Sequence, residues 1–159
     1  MRALPKPSEE NGFLYLHVAL LRGSFRHWAG RDLVNPRMDD RDAARFLFQA
    51  PFAMVSHDTA KDPLFNYANR TALNLFAMSW GEFTTLPSRL SAEPVKQEER
   101  ERLLNEVSQR GFIEGYSGVR IGRHGRRFLI EDAVVWNLVD PVGGPCQGQA
   151  AMFKRWRML

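Results

Sequence analysis

Asp62-Pro-Leu-Phe-Asn-Tyr-Ala-Asn69-Arg-Thr-Ala-Leu-Asn-Leu-Phe76-Ala-Met-Ser79-Trp-Gly-Glu-Phe83 changes its period at one residue. Leu64 to Ala68 has the length of a short strand. Ala72, Leu73, Leu75 and Phe76 then recur as one face of a short helix. Asparagine is among the best helix N-caps, because its side-chain oxygen accepts a first-turn N–H that has no other partner. Asn69 therefore ends the strand and starts the helix in one step. Ser79 is placed to cap a further turn over Trp80 to Phe83.

Upstream, Pro51 to Ser56 is an apolar run of strand length, and His57 to Pro63 has turn chemistry, so a hairpin is expected. A helix fits Asp39 to Gln49, with Asp39 or Asp40 as cap and Ala43, Phe46 and Leu47 on one face. Asn35-Pro36 marks a boundary, giving an N-terminal helical arm over residues 1–38 and a domain over 39–159. In the arm, Ser8 can cap a helix with Glu9 and Glu10 in its first turn, and Phe13, Leu14, His17, Leu20 and Leu21 come next at helical spacing. Gly23 and Gly30 are expected to break the region after Leu21.

Downstream, Leu86 to Pro94 is irregular. Glu98 to Arg110 reads as the clearest helix, with Leu103, Leu104 and Val107 on one side and Gly111 as its stop. From Phe112 the period becomes that of strands. Ile113, Val119 and Ile121 share one face, and Gly122 to Gly125 turns the chain. Phe128, Ile130, Val134, Trp136 and Leu138 alternate along a long strand. Asp140 to Pro145 turns again before a last strand over Gln147 to Trp156. Short turns between neighbouring strands make the sheet antiparallel, and helices between the second and third strands should cover one face. The class is α+β.

The 159 residues hold 22 basic and 18 acidic side chains, a net charge of +4, which speaks to solubility more than to fold. The single cysteine, Cys146, excludes an internal disulfide and a multi-cysteine metal site. The longest apolar run, Phe13 to Leu21, is too short to span a bilayer, and no leader pattern precedes it. The expectation is a cytoplasmic protein.

The order of elements, together with Tyr67-Ala-Asn69 and Ala72-Leu-Asn-Leu-Phe76, resembles the PAS sensor fold. The resemblance is closer to the MEKHLA domain, a PAS-like family. It rests on His57-Asp58, Asp62 to Asn69, Trp80-Gly-Glu-Phe83, Leu86 to Pro94, Gly111 to Tyr116, Gly125 to Phe128, Val135 to Leu138 and Gly148 to Ala151. It implies a five-stranded antiparallel sheet with helices over one face, and sensing or protein association in place of a reaction. Light-sensing flavin domains of the PAS type carry a reactive cysteine ahead of the long helix, and haem sensors often carry a histidine on it. Leu86 to Pro94 has no cysteine and Glu98 to Arg110 no histidine, so the resemblance argues against both cofactors. A non-covalent small ligand stays open.

Several residues are candidates for a site. Met54, Tyr67, Leu73, Leu90, Tyr116, Val119 and Trp136 are expected around an interior between sheet and helices, with Arg89 or Asn137 supplying polarity. Asn69 is read first as a cap and second as a ligand contact. Ser88-Arg-Leu-Ser91 could bind a carboxylate or phosphate, because a guanidinium is a forked donor; otherwise Arg89 pairs with an acid such as Glu93. Asp132 breaks the alternation: a bulge turns it outward, an arginine such as Arg120 meets it, or it lines a polar pocket. A rival reading is an enzyme using His57, Asp58, Asp132 and Arg89 for acid–base chemistry, which requires the four to converge. The arginines at 120, 123, 126 and 127 lack interleaved stacking aromatics, which argues against nucleic acid as a partner. The arm offers two uses: covering the sheet, or joining a second copy in a homodimer.

Overall fold

The computed structural model describes residues 3–92, 94–139 and 144–159. Two helices come first, α1 (Tyr15–Ala29) and α2 (Asp40–Gln49), then the hairpin β1 (Ala53–His57) and β2 (Phe65–Ala68). Helices α3 (Arg70–Phe76), α4 (Trp80–Thr84) and α5 (Pro94–Arg110) come next. Strands β3 (Phe112–Ile121), β4 (Arg127–Leu138), β5 (Gly148–Phe153) and β6 (Arg155–Met158) close the chain. The sheet is antiparallel throughout, in the order β2-β1-β5-β4-β3, with β6 alongside the first half of β4.

The caps form as their residues predict. Asn69 Oδ1 accepts from Ala72 N at 3.0 Å, and Ser79 and Glu82 exchange bonds as a capping box. Asp39 caps α2 by accepting from Asp42 N at 2.8 Å. Gly111 stops α5 with φ +91, and a Cβ there would stand 2.3 Å from the Trp28 ring.

Four expectations change. The first helix does not start after Ser8: Phe13 and Leu14 take positive φ, and α1 runs from Tyr15 straight through Gly23 to Ala29. Helix α5 starts earlier, at Pro94, a residue suited to the first helical position because its missing N–H is not needed there. The last strand is two, divided at Lys154. The fourth change is in β4, where Asp132 has φ 54 and forms a bulge, so the pairing skips and the side chains beyond it change face. Phe128 and Ile130 share a face with Ala133 and Val135, while Val134, Trp136 and Leu138 point to the other side. The predicted turn over Asp140 to Pro145 lies largely outside the described residues.

Helices α3 and α5 cover one face of the sheet, while α1 lies on the other. Val18, Leu21 and Phe25 of α1 are buried, and Phe25 meets Trp136 edge to face at 5.1 Å. Polar groups seat the helix as well. Trp136 Nε1 donates to the Leu21 carbonyl, Trp28 Nε1 to the Asn137 carbonyl, and Ser24 Oγ to the Val139 carbonyl.

His17 completes this seam. Ser56 Oγ donates to Asn66 Oδ1 at 2.6 Å, so His17 must donate its own Nε2–H to Ser56 at 2.9 Å. Burial lowers its pKa from 6.5 to about 4. Between those values the unfolded chain binds a proton that the folded one refuses. Stability is therefore complete above about pH 6.5 and falls as pH drops toward 4, by about 3 kcal/mol. Thermal melts at pH 7, 5.5 and 4.5 should show falling midpoints. His17→Gln, which cannot titrate, should flatten the decline; an unchanged slope would remove His17 as its source.

Candidate functional site

A cavity of about 70 Å³ lies between the sheet and helices α3 and α5. Phe65, Phe76, Leu103, Ile130, Val135 and Phe153 form its apolar wall. His57, Ser88, Arg100, Tyr116, Arg120 and Gln149 form the polar one.

The 3-10 turn Ser88–Ser91 buries both of its serines. Ser88 N donates to the Pro63 carbonyl at 2.8 Å, and Ser91 Oγ closes the turn on the Ser88 carbonyl at 2.7 Å. That leaves Ser88 Oγ to accept from Arg100 Nη2. Arg100 comes from the second turn of α5 and is only 6% exposed. Burial, and then the charge of Arg120, lower its pKa to about 10, so it stays a cation at neutral pH. Arg120 donates to the Val119 carbonyl at 2.9 Å and to Tyr116 Oη at 3.1 Å. Among the described residues, neither guanidinium forms an ion pair with a carboxylate.

The floor is a polar ladder. Gln149 Nε2 donates to Asn137 Oδ1 at 2.9 Å, and Asn137 Nδ2 donates to the Val107 carbonyl at 3.0 Å, tying β5 and β4 to α5. His57, at the end of β1, donates Nδ1–H to the Asp58 carbonyl at 2.8 Å. Its Nε2 is therefore an acceptor, buried beside the Gln149 side chain but without a well-formed hydrogen bond, since the Gln149 amide donates to Asn137. Burial, with the nearby Arg100 cation adding to it, lowers the His57 pKa and keeps the ring neutral.

Of the residues expected around an interior, Tyr116 lines this cavity and Asn137 stands behind it through Gln149. Trp136 is on the far face under α1 because of the bulge at Asp132. Tyr67 is on that face too. A second irregularity, between Ser56 and His57 in the pairing of β1 with β2, leaves Phe65 in the cavity and puts Tyr67 against His17, ring centres 5.6 Å apart. Met54 alternates with Val55 and His57 and shares the side of Ser56. Val119 alternates with Arg120 on β3 and pairs with Leu129. Leu73 borders a surface groove with Lys6, Phe13 and Trp80. Leu90 is exposed, and Arg89 pairs outward with Asp62 at 3.1 Å; Glu93, its other expected partner, lies outside the described residues. Asn69 uses all its hydrogen bonds on the fold: its oxygen accepts from Ala72 N and Met54 N, and its amide donates to the Leu47 and Phe52 carbonyls.

The acid–base set does not converge. Asp58 Oδ1 accepts from Ala60 N and Leu64 N and holds its own turn. Asp132 is exposed on its bulge and meets Arg155 at 3.7 Å, not Arg120. Arg89 faces solvent. His57 alone reaches the cavity.

The residue that the sequence reading missed is Arg100. Its signal was present: 100, 103, 104 and 107 form one helical face, so an arginine shares the buried stripe of Leu103, Leu104 and Val107.

The family model of the MEKHLA domain matches residues 15–158. The chain belongs to the MEKHLA domain family. No curated protein matches this MEKHLA chain in sequence. Solved structures similar to it include the PAS domain of a protein from Colwellia psychrerythraea, with a TM-score of 0.60 at 15% identity, covering 73% of this chain and 92% of that one. A fungal light-oxygen-voltage photoreceptor domain aligns with a TM-score of 0.53 at 19% identity over 91% of each chain. The corresponding domain of a blue-light-activated histidine kinase from Erythrobacter litoralis gives 0.52 at 16%, covering 70% and 98%. At these identities the likeness establishes the fold, an α+β PAS-like sheet. Among the described residues no helix is long and apolar enough to cross a membrane.

The light-oxygen-voltage likeness raises the question of a flavin, and the residues here do not fit one. A cavity of about 150 Å³ admits benzene, and this one has about half that volume. Its wall contains no cysteine, and Cys146 is exposed.

Proposed function

We propose that this MEKHLA domain is a cytoplasmic sensory module that binds a small molecule between its sheet and α3 and α5, without catalysing a reaction. The carrying observation is the combination of an apolar cavity wall with inward polar groups that the fold itself leaves incompletely partnered. The failure of His57, Asp58, Asp132 and Arg89 to converge weighs against the acid–base alternative. Native mass spectrometry of the protein as purified tests the reading. Extra mass that leaves on denaturation is the expected result. A clean apo mass, unchanged by incubation with a cell metabolite extract, counts against small-molecule sensing.

A second reading is association with a protein or with a second copy through the arm. What favours it is Leu16, which stands 74% exposed on α1. The inward side of α1 is used by its own sheet, so a homodimer has to use the outward side. The same spectrum reports one chain or two, and Leu16→Glu should convert two to one.

A further inference from the structure

Two guanidiniums beside one apolar cavity pose a charge problem. Arg100 is buried with the Ser88 hydroxyl as its only side-chain partner among the described residues. Arg120 spends two donors on a backbone carbonyl and the Tyr116 hydroxyl, and its guanidinium lies 5.5 Å from the Tyr116 ring centre. A buried cation is costly unless an anion answers it, and a second cation nearby adds to that cost. Glu101 and Asp62 raise the Arg100 pKa only from a distance, and among the described residues no carboxylate pairs with either guanidinium.

The remaining features define what would. Phe65, Phe76, Ile130 and Phe153 offer an apolar surface, so the anion should carry a hydrocarbon body. His57 Nε2 is an acceptor without a well-formed hydrogen bond, so that body should carry a hydroxyl. The volume of about 70 Å³ corresponds to roughly five water-sized positions, which restricts the whole ligand to about five heavy atoms and its body to a methylene.

Building on the sensor reading, we propose that the cavity recognises a small hydroxylated organic carboxylate. Its carboxylate meets Arg100 and Arg120, its hydrocarbon part lies against Phe65, Phe76 and Ile130, and its hydroxyl donates to His57. The guanidinium supplies forked, charge-assisted hydrogen bonds suited to a carboxylate. Ser88 and Tyr116 orient the two arginines through their hydroxyls.

The test compares glycolate, whose five heavy atoms match the roughly five water-sized positions, its neutral counterpart ethane-1,2-diol, and inorganic phosphate. Each is titrated against the full chain by ligand-observed NMR and by thermal shift. The expected result is that glycolate binds and the diol and phosphate bind far more weakly. Arg100→Met should weaken that binding by about thirtyfold or more, the usual consequence of truncating one partner of a buried charge pair. Equal binding of the diol, or undiminished binding by the variant, overturns the carboxylate assignment and leaves small-molecule sensing standing. Equal binding of phosphate overturns the organic part. Binding of none of the three overturns the inference, and the sensor reading then rests on the mass retained in the native spectrum.

The ligand-free variant gives a second readout. Removing a buried charge that lacks a contacting counter-ion relieves strain, so Arg100→Met without ligand should melt above the parent. Arg120→Gln should keep the fold and lose binding. A parent-like or lower midpoint for Arg100→Met would make Arg100 a structural partner of Ser88 and overturn its role in recognition.

Discussion

Deleting residues 1–34 yields a chain with no cooperative unfolding transition at 25 °C. The segment contributes Phe13, Leu14, Val18, Leu21 and Phe25 to the core, all buried. At roughly 1.5–3 kcal/mol for each side chain removed from water, the loss is about 7–15 kcal/mol. The whole stability of a domain this size is about 5–15 kcal/mol. Truncation also uncovers Trp136 and strips its indole N–H of the Leu21 carbonyl. Circular dichroism during a urea titration checks this. Leu21→Ala provides a graded version, expected to cost about 2–5 kcal/mol while keeping the transition. The same experiment tests the division into an arm over 1–38 and a domain over 39–159. A shortened chain that unfolds near the parent midpoint would make the arm a detachable appendage.

Replacing Asn69 should be the most damaging single polar substitution. Asn69→Ala removes a helix cap and strands buried groups at three other places: the Met54 N–H and the Leu47 and Phe52 carbonyls. A cap is worth about 1 kcal/mol, and each stranded group costs about 1 kcal/mol or more, so the sum is about 3–5 kcal/mol. For a chain of this length that lowers the melting temperature by about 10–15 °C. Asn69→Asp separates the contributions. Aspartate caps as well as asparagine, but it turns the two amide donors into an oxygen facing two carbonyls. It should therefore be at least as destabilising as alanine. A near-neutral Asn69→Asp would reduce Asn69 to its cap alone.

Local chemistry was legible wherever it acts within a few residues of sequence. The handover at Asn69, the capping box at Ser79, the stop at Gly111 and the turn held by Asp58 all arise from side chains meeting neighbouring backbone. The turn Ser88–Ser91 was legible in part. Its serines do face a cavity with an arginine, but the arginine is Arg100 from the next helix, while Arg89 turns out to Asp62. No local rule decides which of two arginines twelve positions or fewer away enters the interior. The helical stripe of residues 100, 103, 104 and 107 carried that information once α5 was known to start at Pro94.

Asp132 illustrates the limit. Its misfit with the alternating pattern was visible in the sequence, and a bulge was one of three explanations. What the bulge does to the residues after it was not visible. One extra residue reverses the parity of the strand, so Trp136 leaves the cavity face and Ala133 and Val135 enter it. The irregularity between β1 and β2 does the same to Phe65 and Tyr67. Two aromatic residues expected in the pocket lie instead under α1, where their bulk fills the seam with the arm.

The sequence by itself determined the order of elements, their caps and stops, the antiparallel class and the membership of the PAS-like group, because each rests on periodicity and on contacts between near neighbours. The tertiary structure alone decided which face each side chain of β2 and β4 meets, that the arm completes the core, and that Arg100, Arg120 and His57 share one cavity. Those outcomes depend on register between strands far apart in the chain, and a one-residue change in register moves a side chain to the other face of the sheet.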